Sequence, residues 1–280
     1  MFLAVDAGNS DTVFGLYDQQ QWRHVWRTRS LVEEPMAFHL TDRLVGDTDA
    51  IPTERDRYER LLRLWFLEAN IPLSAIDSVV ISSVVPELTP TLKTTLTRLF
   101  GQEPVVVGPA IYHALPLQIL RPYAIGTDLV ANAMAAHLRY KQNCVVVDFG
   151  TALTFTTVSA EGKMLGIAIA PGLKTAVRSL FSTTAQLPEV PLVMPDSALG
   201  TSTAHAIQAG VVLGYEGLVR SLINRIRAEL NGDCLAIATG GMATAIPTLS
   251  TDFLEIIPNL TLDGIREIGL RTQGPAGAPV

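Results

Sequence analysis

Val5-Asp6-Ala7-Gly8-Asn9-Ser10 and Val147-Asp148-Phe149-Gly150-Thr151-Ala152 decide the fold of this chain. In each, an aspartate ends a short apolar run, a glycine follows two residues later, and a small polar side chain leads into a second run. One Asp-x-Gly turn is ordinary hairpin chemistry. The matched pair predicts a duplicated domain, with one turn from each half facing a cleft.

Working outward from the first turn, Phe2–Val5, Thr12–Tyr17 and Trp22–Arg29 read as three strands in meander, the last by its period of two. Residues 46–56 are polar and read as a loop. Tyr58, Leu61, Leu62, Trp65, Phe66 and Ala69 then fall at helical spacing. A strand over Asp77–Val85, a helix over Thr89–Phe100 ended by Gly101, and a short strand over Val105–Val107 complete the first half. The second half repeats the pattern: an alanine-rich helix over Leu129–Tyr140, then strands over Cys144–Val147, Leu153–Ser159 and Met164–Ala170, the last two joined by a turn at Glu161-Gly162. Helices over 172–186 and 203–230, a strand over Leu235–Ala238 and a helix over Leu262–Leu270 follow. The expected division is a domain over 1–116, a second over 117–270, and a disordered tail over 271–280, whose Gly-Pro-Ala composition resists packing.

Composition narrows the class. With 48% hydrophobic and 17% charged residues the chain is globular. Its net charge of −6 and scattered Lys and Arg offer no basic tract, so no nucleic-acid role is expected. Cys144 and Cys234 each head an apolar run and read as small buried hydrophobes. The five histidines lie far apart, against a zinc site. The first residues read as a strand, and apolar runs fall short of ~20 residues, so the expectation is a cytoplasmic protein with no membrane span.

The two turns suit a nucleoside triphosphate. Gly8 lets backbone approach closely, Asn9, Ser10 and Thr12 supply neutral donors, and the backbone N–H groups can form an anion-binding concavity. Asp6 would repel phosphate directly, so its fitting task is to hold hydrated Mg²⁺; Asp148, with Thr151 nearby, offers a second carboxylate for a cation. Neither a Walker A loop nor a GxGxxG fingerprint is present. Gly240-Gly241 reads either as bare backbone for an adenine ring or as a strand-to-helix turn. Asp128, at the head of the alanine-rich helix, reads either as an N-cap or as the carboxylate that an alcohol kinase needs to accept a proton.

These residues resemble the type III pantothenate kinases of the acetate and sugar kinase, heat-shock and actin superfamily. The likeness runs over about residues 1–270. It rests on Asp6-Ala7-Gly8-Asn9-Ser10, Ser82-Ser83-Val84-Val85-Pro86, Gly126-Thr127-Asp128, Asp148-Phe149-Gly150-Thr151-Ala152, Ala170-Pro171-Gly172, Thr203 with Ile207-Gln208-Ala209-Gly210, and Ala238-Thr239-Gly240-Gly241. The resemblance implies an α/β fold of two duplicated ribonuclease H-like (actin-like ATPase) domains with a cleft between them. It implies that Asp6, Ala7, Gly8, Asn9, Ser10, Asp11, Thr12 and Val13 line the ATP phosphates, with Thr151 touching ATP. Asp128 would be the general base on the pantothenate hydroxyl, and Gly126, Thr127, Leu129 and Thr203 would contact pantothenate. Asp148 would bind a monovalent cation (K⁺ or NH₄⁺). A homodimer is implied, because Thr203 reaches substrate across a dimer interface in this family.

Two positions depart from the family pattern. Leu129 stands where Arg usually follows the catalytic aspartate, and Ile119 stands where a substrate-contacting Tyr is usual. Tyr123, Arg121 and Arg178 are candidate replacements. The departures keep a kinase acting on another small hydroxylated acid, and a non-catalytic regulatory relative, as alternatives; the presence of Asp6, Asp128 and Asp148 together weighs against the last.

Overall fold

A computed structural model describes residues 1–30, 54–183 and 190–272. The chain forms two compact units. The first comprises Met1–His113 together with Gly126–Asp128 and the segment from Ile268 on; the second comprises Ala114–Ile125 and Leu129–Glu267.

The N-terminal unit is built on β1 (Phe2–Ala7), β2 (Asp11–Tyr17), β3 (Trp22–Arg29), β4 (Ser78–Ser83) and β5 (Val105–Val106), ordered β3-β2-β1-β4-β5. β1 pairs antiparallel with β2 and parallel with β4. Being central, β1 is covered on both faces, which is why Phe2-Leu3-Ala4-Val5 is a continuous apolar run rather than an alternating one. β3 lies at the sheet edge and alternates as its sequence does. Helix α1 (Glu54–Glu68) places Tyr58, Leu62 and Phe66 one turn apart in the core, and α2 (Leu88–Phe100) adds Leu88, Leu92, Leu96 and Leu99. Gly101 ends α2 at φ 69°, a left-handed position where a side chain would be strained. α1 begins at Glu54, so the loop expected over 46–56 is cut short there; its residues 46–53 lie outside those described.

The C-terminal unit carries α3 from Leu129 onward (the helix spans Thr127–Tyr140), β6 (Cys144–Phe149), β7 (Ala152–Val158), β8 (Met164–Pro171), α4 (Leu173–Thr183), α5 (Thr203–Gln208), α6 (Gly214–Glu229), β9 (Leu235–Thr239), β10 (Glu255–Ile256) and most of α7 (Leu260–Thr272). Its sheet runs β8-β7-β6-β9-β10, the order of the first sheet element for element, with β6 antiparallel to β7 and parallel to β9. The correspondence reaches a detail. The register of the outer hairpin slips between Leu16 and Tyr17 in the first unit and between Thr157 and Val158, the last two residues of β7, in the second. Helix α7 continues to Thr272, two residues into the expected tail, which is otherwise outside the described residues. α4 ends among those described at Thr183; residues 184–186 of the helix expected over 172–186 lie outside them.

α5 and α6 are joined by a π-helical segment, Ala209–Leu213, into one helix from Thr203 to Glu229. By length and composition this helix is long and apolar enough to cross a membrane, contrary to the expectation that no segment would be. Val212, Val219 and Ile223 on it belong to the core around β6 and β7. Both cysteines are buried as free thiols, and burial pushes Cys144 up to about 12 and Cys234 up to about 11, so neither is a ready thiolate.

Candidate active site

In the N-terminal unit, β1 and β2 are joined by the turn Gly8-Asn9-Ser10. The Gly8 N–H donates to the Asp11 carbonyl at 3.0 Å, and a Cβ on Gly8 would lie 3.2 Å from that oxygen, so the turn closes tightly only with glycine. A chain of hydroxyls fixes it from beneath. Ser30 Oγ donates to the Gly8 carbonyl at 2.6 Å, which commits its proton; Thr12 Oγ1 therefore donates to Ser30 Oγ at 2.8 Å, and Tyr58 Oη donates to Thr12 Oγ1 at 3.2 Å. Thr12 is fully buried in this chain. Its hydroxyl supports the turn from inside. Asn9 and Ser10 are exposed at the tip. Arg27 Nη1 meets Asp11 Oδ2 at 3.3 Å, a half-exposed pair worth at most ~1 kcal/mol.

Asp6 lies beside Ser82 in the parallel register of β1 and β4. Thr127 Oγ1 donates to the Ser83 carbonyl at 3.2 Å, so the 2.8 Å contact between Ser82 and Thr127 is donated by Ser82. These bonds tie the start of α3 to the end of β4, within one strand spacing of the end of β1. Thr127 is the first residue of α3 and Asp128 the second. Asp128 is thus inside the first turn rather than at the N-cap, and its carboxylate gains from the positive end of the helix dipole. A Cβ on Gly126 would collide with Asp128 Oδ1, so glycine is what lets that carboxylate fold back over the start of the helix.

Tyr112, in a short 3₁₀ turn over Pro109–Ala114, is 6% exposed, and its hydroxyl has no hydrogen-bond partner among the described residues. Burial, and then the nearby charge of Asp128, push this phenol up to about 12. It is therefore a proton donor, not a base, at any ordinary pH.

In the C-terminal unit the second turn is held just as closely. Asp148 Oδ2 accepts from Asn132 Nδ2 at 3.0 Å, and Asn132 Oδ1 accepts from Thr261 Oγ1 at 2.8 Å. Asn132 is fully buried on α3. Gly240, at φ 92°, sits where a Cβ would strike Asp148 Oδ1 and come within 2.6 Å of the Phe149 nitrogen. That explains the first glycine of the Gly240-Gly241 pair without an adenine ring. Gly172 likewise packs against the Gly150 and Thr151 carbonyls, with its N–H donating to Thr151 O at 2.9 Å.

Asp148 stands between Thr154 on β7 and Thr239 on β9 in the registers of its two neighbours, which puts the three side chains on one face. Both threonine hydroxyls are buried without a hydrogen-bond partner among the described residues. One carboxylate flanked by neutral oxygens suits a singly charged hard cation. Among the described residues no group of three His, Cys, Asp or Glu side chains could cage a metal, so a divalent ion at Asp6 would be held largely through water and phosphate oxygens.

The remaining candidates are less enclosed. Thr151 is exposed, and Thr203 opens α5, whose N-cap is Ser202 accepting from the His205 N–H at 3.2 Å. Leu129 is 6% exposed, an apolar residue in the position discussed for a charge. Tyr123 is 91% exposed, and Arg121 and Arg178 are exposed. Sequence reasoning missed Tyr112, Asn132, Thr154 and Thr239. A lone asparagine inside an alanine-rich helix and the Thr-rich run of β7 were the available signals for Asn132 and Thr154.

The profile of the family described as type III pantothenate kinase matches residues 2–225. The type III pantothenate kinase of Treponema pallidum (strain Nichols) is 43% identical over 268 residues, covering 95% of this chain and 92% of that protein. That of Syntrophotalea carbinolica is 37% identical over 274 residues, covering 98% of this chain and 100% of that protein. Among solved structures, MreB 5 of Spiroplasma citri bound to AMPPNP covers 95% of this chain and 94% of its own, at 13% identity and a TM-score of 0.52. The ethanolamine utilization protein EutJ of Carboxydothermus hydrogenoformans covers 95% and 89%, at 14% identity and a TM-score of 0.50. At such identities the structural likeness concerns the fold alone, and that fold is α/β, with two ribonuclease H-like domains of the actin-like ATPase kind.

Proposed function

Because this chain belongs to the type III pantothenate kinase family, we propose that Asp128 is the general base of its reaction. That reaction is the ATP-dependent phosphorylation of pantothenate to 4′-phosphopantothenate, the first step of coenzyme A biosynthesis. Asp128 orients the primary hydroxyl of pantothenate and takes its proton as the oxygen forms a bond to the γ-phosphorus of ATP. The bond from that phosphorus to the bridging oxygen breaks, and ADP leaves. A positioned base of this kind is worth ~10²–10⁴ in rate.

The observation that supports the assignment is the pair of hydroxyl bonds from Thr127 to Ser82 and Ser83, because Ser82 is the register neighbour of Asp6. The carboxylate that would face the phosphate side and the one that would face the alcohol then belong to one corner of one unit. In this reading Asp6 to Val13 line the ATP phosphates, chiefly through the backbone and exposed side chains of the turn. Gly126, Thr127, Leu129 and Thr203 form the pantothenate side, and Thr151 contacts ATP. Asp6 would hold a hydrated Mg²⁺ that offsets phosphate charge, and Asp148 with Thr154 and Thr239 would hold a monovalent cation that supplies a fixed positive charge.

We further propose a cytoplasmic homodimer, with no nucleic acid or membrane as partner. Leu165, Ile167 and Ile169 on the edge strand β8 are 37%, 36% and 67% exposed, an apolar stripe that supports association through that edge. A coupled ADP assay tests the whole reading. Expected is ADP release that requires pantothenate and Mg²⁺ and is faster in potassium than in sodium buffer. ADP release indifferent to pantothenate, from protein that is folded and dimeric, would sink it.

A further inference from the structure

We propose that Tyr112 is a substrate-contacting residue of the acceptor site, its phenolic O–H donating a hydrogen bond to an oxygen of the pantoate half of pantothenate. The inference rests on Asp128 marking the acceptor side, as proposed above.

A buried tyrosine hydroxyl normally finds a partner, because leaving it dry and unpaired is unfavourable. Tyr112 is 6% exposed, yet its hydroxyl has no partner among the described residues. Thr154 and Thr239, whose hydroxyls share this condition, flank Asp148 where a cation is proposed; Tyr112 has no such ligand assigned to it. The group is therefore a donor whose acceptor must come from outside the described side chains. Its location says what. Tyr112 belongs to the same unit as Gly126–Asp128, and the Asp128 charge is near enough to oppose its ionisation. A donor that stays protonated, set beside the carboxylate that takes the alcohol proton, complements an oxygen-rich acid whose secondary hydroxyl and amide carbonyl lie close to its reacting hydroxyl. Tyr123, the other tyrosine in this stretch, is 91% exposed and lacks that setting.

The test is Tyr112→Phe in the full-length enzyme, which removes one oxygen and keeps the ring. Expected are an unchanged or raised Tm without ligands, a pantothenate Kd by calorimetry and a pantothenate KM both about tenfold higher (~1.4 kcal/mol), and an unchanged KM for ATP. Tyr112→Met should weaken pantothenate at least as much. Unchanged Kd and KM would mean that water alone serves the hydroxyl, and would overturn the proposal. So would a parallel rise in the ATP KM, or a loss of folding in the Phe variant, since either makes the role structural. Asp128→Asn, assayed alongside, separates the two readings. If it keeps full turnover, the acceptor-site assignment fails; if it is inactive while Tyr112→Phe matches wild type, only the Tyr112 inference fails.

Discussion

Asn132→Ala should weaken both the C-terminal unit and its response to potassium. Asn132 is fully buried, gives a 3.0 Å bond to Asp148 and receives a 2.8 Å bond from Thr261. Losing a hydrogen bond to a charged group costs ~1.5–3 kcal/mol, and leaving the Thr261 hydroxyl unpaired costs ~1–3 kcal/mol, partly offset if it finds a new partner. A net loss of about 2–5 kcal/mol is expected, read as a shift of the urea midpoint at constant slope. The functional effect follows from orientation. With no amide to hold Asp148, the half-saturating potassium concentration for activity should rise ~10–100-fold, the usual cost of removing a group that steers a metal ligand. Asn132→Asp sharpens the test. It sets a second carboxylate against Asp148, raises the folded-state pKa values of the pair, and so gives a variant whose stability deficit shrinks as pH falls. If Asn132→Ala stays within ~0.5 kcal/mol of wild type and its potassium curve is unmoved, the assignment of Asp148 as the cation ligand steered by Asn132 is wrong.

Gly240→Ala should destabilise by roughly 2–5 kcal/mol, combining a left-handed backbone angle with overpacking against Asp148 and Phe149, whereas Gly241→Ala, whose Cβ meets open space, should stay within ~0.5 kcal/mol; thermal melts of the two variants side by side check this. Acid should expose His137, which is 5% exposed and whose pKa is held below the ordinary 6.5 by burial first and by Lys141 second. Below 6.5 the unfolded chain binds more protons than the folded one, so this group's contribution is complete above that pH and is lost as pH falls toward the lowered value. His137→Gln should flatten the fall of Tm between pH 7 and 5, and an unchanged slope would exclude the histidine as its source.

The duplicated architecture was legible because it is written in local signals. Asp6-Ala7-Gly8 and Asp148-Phe149-Gly150 each sit between an apolar run and a returning strand, and the two sheets share one strand order. β3 itself showed in the alternation from Trp22 to Arg29. β10 was missed because its two residues, Glu255-Ile256, include a charge, whereas the equally short β5 sits in the apolar run Val105-Val106-Val107. The supports of the candidate site were illegible for another reason. Tyr58 reaches Thr12, Thr261 reaches Asn132, and Ser82 reaches Thr127 across long stretches of chain, and such pairings follow from packing rather than from spacing. Thr12 shows the consequence. Its place in the turn motif marked it as a phosphate donor, while its partners place the hydroxyl in the core. Tyr112 carried no local signal, since a tyrosine in a Pro-Ala-Ile-Tyr segment looks like any core aromatic.

The most direct measurement is the rate of 4′-phosphopantothenate formation by Asp128→Asn, a change that keeps the shape of the side chain and removes its basicity. A fall of ~10²–10⁴ in kcat, with ATP and pantothenate still bound and Tm near that of wild type, is the predicted result. A kcat within a few-fold of wild type would show that another group takes the proton, and the assignment of the site built on Asp128 would fall with it.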